Sequence, residues 1–262
     1  MLGYGGQTQS RYIQTLQGAS FCAIGVFLVS VLVYQLNWDF IRTMEFGSVW
    51  EYRYALTKGL GVTLFLTFVS GALGLFLGTL LAVLSQSPIA PMRWVVMAYV
   101  EIFRNTPLLV QLIWLHFAMP ALTGINTTAL ESGVLAMVLQ ASAYFSEIVR
   151  GGIQNVTRGQ WEAAYALGLP SWTVWSRVVL PPALRTMIPP LVNLTISFFK
   201  ATAILSVLQV SELMTVTNRI STVTFRPVEL FTFAALIYFI LGFGMSRLTL
   251  RLERSLRKSQ GY

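Results

Sequence analysis

The sequence predicts an all-α, polytopic membrane protein with about six transmembrane helices, and three observations support this class. Hydrophobic residues make up 55% of the 262 residues and charged residues only 11%, whereas soluble domains average about 25% charged residues. The mean hydropathy is +0.65, so the chain has more apolar surface than a soluble core could bury. Charge-free stretches at 12–38, 59–92 and 105–130 exceed the roughly 20 residues that cross a bilayer.

The first two helices are predicted at residues 18–36 and 59–84. The first lies in a long apolar run without a small-x-small cleavage site, so we expect it to remain a membrane helix. The second carries three glycines on one face, which predicts close packing against another helix. They are Gly71, Gly74 and Gly78.

The third helix, 93–119, is interrupted at Pro107. Proline lacks an amide donor and disfavours helical geometry at the preceding residue, so Thr106 is predicted to cap a new half-helix. The positive end of such a half-helix suits a carboxylate, and a packing kink is the alternative. His116 is predicted to be a hydrogen-bonded core residue.

The remaining helices are predicted at 129–149, 183–207 and 229–250. Glu147, at the end of the fourth helix, is expected to form a cap or interface pair with the nearby Arg150. Pro189-Pro190 bends the fifth helix or marks its start. The sixth precedes a basic tail, 251–262, for which contact with anionic lipid headgroups is expected.

Residues 161–181, between the fourth and fifth helices, read WEAAYALGLPSWTVWSRVVLP. The run 162–167 favours a helix, Gly168 can take the positive φ that ends it, and Pro170 starts a second short helix. Three tryptophans supply apolar anchors of the kind found in interfaces. An ordinary amphipathic helix on the membrane surface is the alternative.

This stretch resembles the E-A-A-x3-G-x9-I-x-L-P loop of binding-protein-dependent ABC importer permeases, which docks into a separate ATPase subunit. The positions that match the loop, with one glycine upstream, are Gly159, Glu162, Ala163, Ala164, Gly168, Leu180 and Pro181. Residues 99–112, YVEIFRNTPLLVQL, are similar to the signature of permeases for polar amino acids. The first helix and the replacement of K-[DN]-T-S by Lys200-Ala-Thr-Ala depart from that group.

The resemblance implies a type I ABC importer permease fold. An N-terminal segment with an extra transmembrane helix would occupy residues 1–58. The permease core would occupy 59–250, with its cytoplasmic loop at about 150–182, and the basic tail would follow at 251–262. The resemblance also implies that the chain forms the translocation path of an importer for polar amino acids. The expected partners are ATPase subunits, a second permease copy or paralogue, a periplasmic or extracellular amino-acid-binding protein, the amino acid and membrane lipid.

No catalytic role is expected, because the chain lacks a G-x4-G-K-[ST] phosphate loop. ATP-Mg would be bound by the partner ATPase, and no cofactor or metal by this chain. A secondary, ion-coupled amino acid transporter is the alternative function. The net charge of +8 follows from membrane topology, so no nucleic-acid partner is inferred.

Basic residues predict the orientation. With six spans, the side holding both termini and the 150–182 loop carries eleven arginines and lysines, and the other side carries five. The positive-inside bias therefore places both termini in the cytoplasm. The resemblance implies that the membrane is the inner membrane of a bacterium.

Polar residues within the third and fifth helices are the candidates for the substrate path, since intramembrane charges are costly. Glu101 and Arg104 lie three residues apart, as an ion pair or as ligand groups. Lys200 has no local acid, so it must pair with another helix, snorkel or face a cavity. The full predicted set is Glu101, Arg104, Asn105, Thr106, Gln111, Asn193, Ser197 and Lys200.

Overall fold

The computed structural model describes residues 20–27, 30–31 and 33–258, in two compact units, Met1–Glu45 and Phe46–Tyr262. The described part of the first unit is mostly helical up to residue 35 and ends in helix α1, Trp38–Arg42. The Asn37 side chain caps α1 by accepting a hydrogen bond from the Phe40 amide. The predicted first span, 18–36, lies partly outside the described residues.

The second unit is built from helices alone in its described residues. After α2, Gly47–Glu51, come α3, Arg53–Leu84, and α4, Ala90–Asn105. Next are α5, Leu108–Ile113, a π-helical turn, Trp114–Ala118, and α6, Met119–Thr123. The later helices are α7, Ala129–Gln154; α8, Arg158–Ala166; α9, Ser171–Thr173; α10, Leu180–Ala201; α11, Leu213–Thr224; and α12, Pro227–Lys258.

Four helical stretches in the described residues are long and apolar enough to cross a membrane: Arg53–Leu84, Ala129–Gln154, Ser171–Leu208 and Pro227–Arg254. The pair Ala90–Asn105 and Leu108–Thr123, bent by 107°, makes a fifth span if it is taken as one. These stretches correspond to the second to sixth predicted helices. The predicted all-α membrane architecture is therefore confirmed.

Helix α7 lies at the centre of the unit and packs along α3. Its side chains Met137 and Phe145 are fully buried in the main core with Leu66 of α3. Gly74 and Gly78 make this approach possible, because a Cβ at either position would lie 2.7 Å from an atom of α7. The predicted role of these two glycines in helix packing is confirmed.

The fifth predicted helix begins earlier than residue 183. The stretch starts at Ser171, passes through a π-helical turn at Val174–Val179, and continues as α10. Pro189 and Pro190 lie inside α10, so the suggestion that they mark its start is wrong. A 3-10 segment, Thr202–Leu208, follows, and the short helix α11 after it was missed.

Candidate functional site

The segment that joins α7 to α10, residues 158–182, is here called the EAA segment. Helix α8 ends in a Schellman turn: the Gly168 amide donates to the Tyr165 carbonyl at 2.9 Å and the Leu169 amide donates to the Ala164 carbonyl at 3.3 Å. Gly168 has φ of +68°, a conformation that side chains disfavour. The predicted glycine break is confirmed.

The inner side of the EAA segment is anchored in a second core. Ala164, Val174 and Val179 are buried there with Val149 of α7. The ring of Trp161 meets that of Trp175 edge to face, with centroids 5.3 Å apart. These contacts hold α8 and the following π-helical turn as one body.

The outer side of the EAA segment is apolar and exposed. Leu167 is 77% exposed and Trp172 81% exposed, with Tyr165 at 53%. Of the predicted loop residues, only Ala164 is buried, while Gly159, Glu162, Ala163, Gly168, Leu180 and Pro181 are exposed. A segment with a buried anchor and exposed aromatic groups is suited to contact another protein.

The break in the third span keeps its backbone carbonyls satisfied. Pro107 has no amide to donate to the Phe103 carbonyl, and the Gln111 side chain donates to it instead, at 2.9 Å. The same amide group donates to the Thr106 carbonyl at 2.9 Å, and Gln140 of α7 donates there at 3.1 Å. Within a membrane, unpaired carbonyls would cost several kcal/mol each, so these two glutamines permit the bend.

One prediction for this break needs correction. Thr106 does not cap α5: its hydroxyl donates backwards to the Ile102 carbonyl at 2.7 Å, and Pro107 occupies the cap position without a side-chain bond. Gln111 is only 6% exposed, because its amide is used inside the bend. Both side chains therefore donate to backbone carbonyls at the break.

Arg104 does not pair with Glu101. Its guanidinium lies 3.3 Å from the Glu147 carboxylate of α7, which also binds Arg150 at 2.7 Å. Glu101 instead accepts a hydrogen bond from Asn105 at 2.6 Å. The expected Glu147–Arg150 pair is confirmed, and Arg104 extends it into a bridge between α4 and α7.

A cavity of about 310 Å³ lies between α3, α4 and α7 beside this ion network. Its polar lining consists of Ser85, Gln86, Glu101, Glu147, Arg150 and Gln154, with Ser146. The cavity lining thus carries both signs of charge, and its Glu147 and Arg150 are paired with each other.

The polar residues of α10 form an exposed stripe. Asn193, Ser197 and Lys200 are spaced by four and three residues, so they share one helix face, and all three are exposed. Thr186 extends the same face by two turns. The Lys200 side chain lies beside Gly242 of α12, where an added Cβ would be 3.5 Å from Lys200 Cε.

His116 lies in the π-helical turn after α5 and is bonded within the protein. Its Nδ1 is 2.9 Å from the hydroxyl of Ser132, a fully buried residue of α7. The predicted hydrogen bond is confirmed, while the His116 side chain itself is only half-buried.

A buried acid escaped the sequence analysis. Glu212 is 0% exposed and caps α11 through the Met214 and Thr215 amides, at 2.9 and 2.6 Å. An acidic residue directly before a helix often caps it by accepting from amides two and three residues later. This helix-start signal could have identified Glu212 in the sequence.

Comparison with known proteins adds to this geometry. Residues 72–258 match the family described as "Binding-protein-dependent transport system inner membrane component". The glutamate/aspartate import permease protein GltK of Escherichia coli O157:H7 is 35% identical over 206 residues, 76% of this chain and 92% of that protein. The L-cystine transport system permease protein TcyB of Bacillus subtilis (strain 168) is 36% identical over 222 residues, 84% and 92% of the two chains.

Solved structures show the same fold. A chain of the crystal structure of an amino acid ABC transporter with histidines aligns with a TM-score of 0.77 and 36% identity, covering 81% of this chain and 99% of that one. A chain of the MetNI methionine ABC transporter, in an inward facing conformation, aligns with a TM-score of 0.66 at 22% identity, covering 79% and 98%. This second likeness concerns the fold alone.

Proposed function

Since the chain belongs to the binding-protein-dependent transport system inner membrane components, we propose how this permease moves its substrate. It is the multi-pass inner-membrane component of an ABC importer for polar amino acids. Membership in this family implies an ATPase and a binding protein as partners. The ATPase would hold ATP-Mg, and this chain would convert its closure into alternating access to the substrate path.

The observation that carries the proposal is the exposed apolar side of the EAA segment. Leu167 and Trp172 are each more than three-quarters exposed. They belong to a segment whose other side is packed into the protein. Such a rigid, apolar projection would seat in a pocket of the ATPase and move with it. Differential contact with the open and closed ATPase would supply the coupling free energy.

The polar stripe on α10 supports a path between two permease copies. Asn193, Ser197 and Lys200 are exposed on a helix that crosses the membrane. Polar groups of this kind are costly against lipid, so they are better placed against water and a second subunit. We place Glu101 and Asn105 on the same path, with Arg104, Thr106 and Gln111 as its supporting groups.

We further infer that both termini and the EAA segment face the cytoplasm, on the basis of the bias in basic residues. In a Cys22→Ser background, Gly159→Cys should react with a membrane-impermeant maleimide only in inverted vesicles, and Asn126→Cys only in intact cells.

The energy source provides a second test. Uptake by the reconstituted importer should require ATP and should persist when ion gradients are collapsed. Labelling of Gly159→Cys from outside, or uptake driven by an ion gradient without ATP, would support a secondary transporter instead.

Lys200 provides a test of the path. We expect Lys200→Met to raise the KM for the transported amino acid by roughly tenfold, which corresponds to about 1.4 kcal/mol of lost binding. Assembly should persist, since Lys200 is exposed and makes no ion pair or hydrogen bond with the described residues. Competition between acidic, amide and basic amino acids would report the change in preference.

Lys58→Met is the matched control, because Lys58 is also an exposed lysine of a spanning helix but lies in the first two turns of α3. Equal KM values for the wild type and Lys200→Met would remove Lys200 from the path.

A further inference from the structure

The carboxylate of Glu212 lies in the interior of the helical unit without a cation. It is 0% exposed and forms no ion pair within the described residues. An isolated charge in such a place is unfavourable unless donors surround it. The surroundings of Glu212 therefore determine what it does.

Four donors converge on this carboxylate. Oε1 accepts from the amide of Thr215 at 2.6 Å and from its hydroxyl at 3.0 Å. Oε2 accepts from the Met214 amide at 2.9 Å and from the Tyr238 hydroxyl at 3.1 Å. A set made only of donors complements an ionised carboxylate, and the N-terminal end of α11 adds favourable electrostatics.

The same point ties three helices together. Tyr238 belongs to α12, and the Leu213 amide of α11 donates to the buried Thr63 hydroxyl of α3 at 3.1 Å. Thr63 and Tyr238 lie ten and eleven residues into their helices, which is about 15 Å along each axis. The start of α11 is thus held deep inside the bundle, while Thr222, near its other end, is exposed.

The connection that enters α11 is strained. Gln209 has φ of +56°, which is uncommon for a residue with a side chain. Arg219 of α11 reaches back to the Gln209 carbonyl at 3.3 Å. A strained connection persists only when its neighbours fix it, so the orientation of α11 depends on the Glu212 bonds at its start and on the Arg219 bond to this connection.

We infer that Glu212 is a positioning residue of the transport cycle, which fixes α11 to α3 and α12 so that α11 moves with these two spans as one gate element. The inference rests on the proposed alternating access. With both termini in the cytoplasm, as proposed above, α11 lies toward the outer face, where the binding protein would deliver the amino acid. Glu212 acts through the helix that it caps and touches no substrate.

The test uses the whole importer in proteoliposomes with its ATPase and binding protein. We expect Glu212→Gln and Tyr238→Phe each to lower the uptake per ATP hydrolysed at least fivefold, with ATP hydrolysis and the yield of assembled complex within twofold of wild type. Thr222→Cys, in the Cys22→Ser background, should be labelled at different rates without nucleotide and with trapped ATP. Either variant should abolish that difference.

Glu131→Gln is the matched control, because Glu131 also belongs to the capping of a helix, in a box with Thr128 at the start of α7, but is exposed. It should retain wild-type coupling. Normal coupling with ATP-dependent labelling in both Glu212→Gln and Tyr238→Phe would overturn the inference, and so would failure of both to assemble. If the wild type itself shows no ATP-dependent labelling, the proposed cycle fails.

Discussion

Gly168→Pro should abolish ATP-driven uptake while the protein still inserts and folds. Gly168 has φ of +68° and its amide bonds the Tyr165 carbonyl. Proline fixes φ near −65° and has no amide, and such a mismatch costs about 3 kcal/mol or more, or roughly a 100-fold loss of the docked geometry. Uptake and ATP hydrolysis of the reconstituted importer would measure this loss.

Gly124→Pro provides a closely matched control. Gly124 has φ of +72°, and its amide bonds the Pro120 carbonyl at 2.8 Å. An added Cβ meets no atom within 4 Å at either glycine. The two substitutions therefore impose the same backbone defect, but only one lies in the EAA segment. Equal uptake by the two variants would refute the docking assignment.

Gly78→Val should prevent α3 from packing on α7. A Cβ at residue 78 would lie 2.7 Å from Phe145 Cβ and 2.8 Å from the Ser142 carbonyl oxygen. Backbone atoms cannot turn aside, so the helices must separate, at a cost of about 3 kcal/mol. We expect the melting temperature of the detergent-purified complex to fall by about 6–12 °C.

Gly61→Val separates this packing effect from the cost of valine in a helix. Gly61 lies in the same helix, and its Cβ would meet open space. Its melting temperature should remain close to that of the wild type. A similar decrease in both variants would show that helix propensity, and not the contact with Phe145, limits stability.

The spans and the EAA segment could be predicted from the sequence because their signals are local. Hydropathy runs identify spans within a few residues. The turn at Gly168 ends α8 through two local bonds, from the Gly168 amide to Tyr165 and from the Leu169 amide to Ala164. The packing role of Gly74 and Gly78 could also be predicted, because their spacing places them on one face of a helix.

The pairings between spans could not be predicted, because they join residues far apart in the chain. Glu101 is the nearest acid to Arg104 in the sequence, but the fold brings Glu147 to it. The use of Gln111 inside the bend depends on where its helix turns. Tyr238, which lies 26 residues after Glu212, completes the buried carboxylate site only once α12 packs beside α11.

The bent span also constrains how the chain enters the membrane. Helix α4 has 16 residues and so measures about 24 Å, less than the roughly 30 Å of the hydrocarbon layer. The half that follows the bend is equally short, so neither half can leave the translocon as a separate span. Two donors to the bend, Gln140 and Tyr144, come from α7. The corner is therefore completed only after the next span has been synthesised.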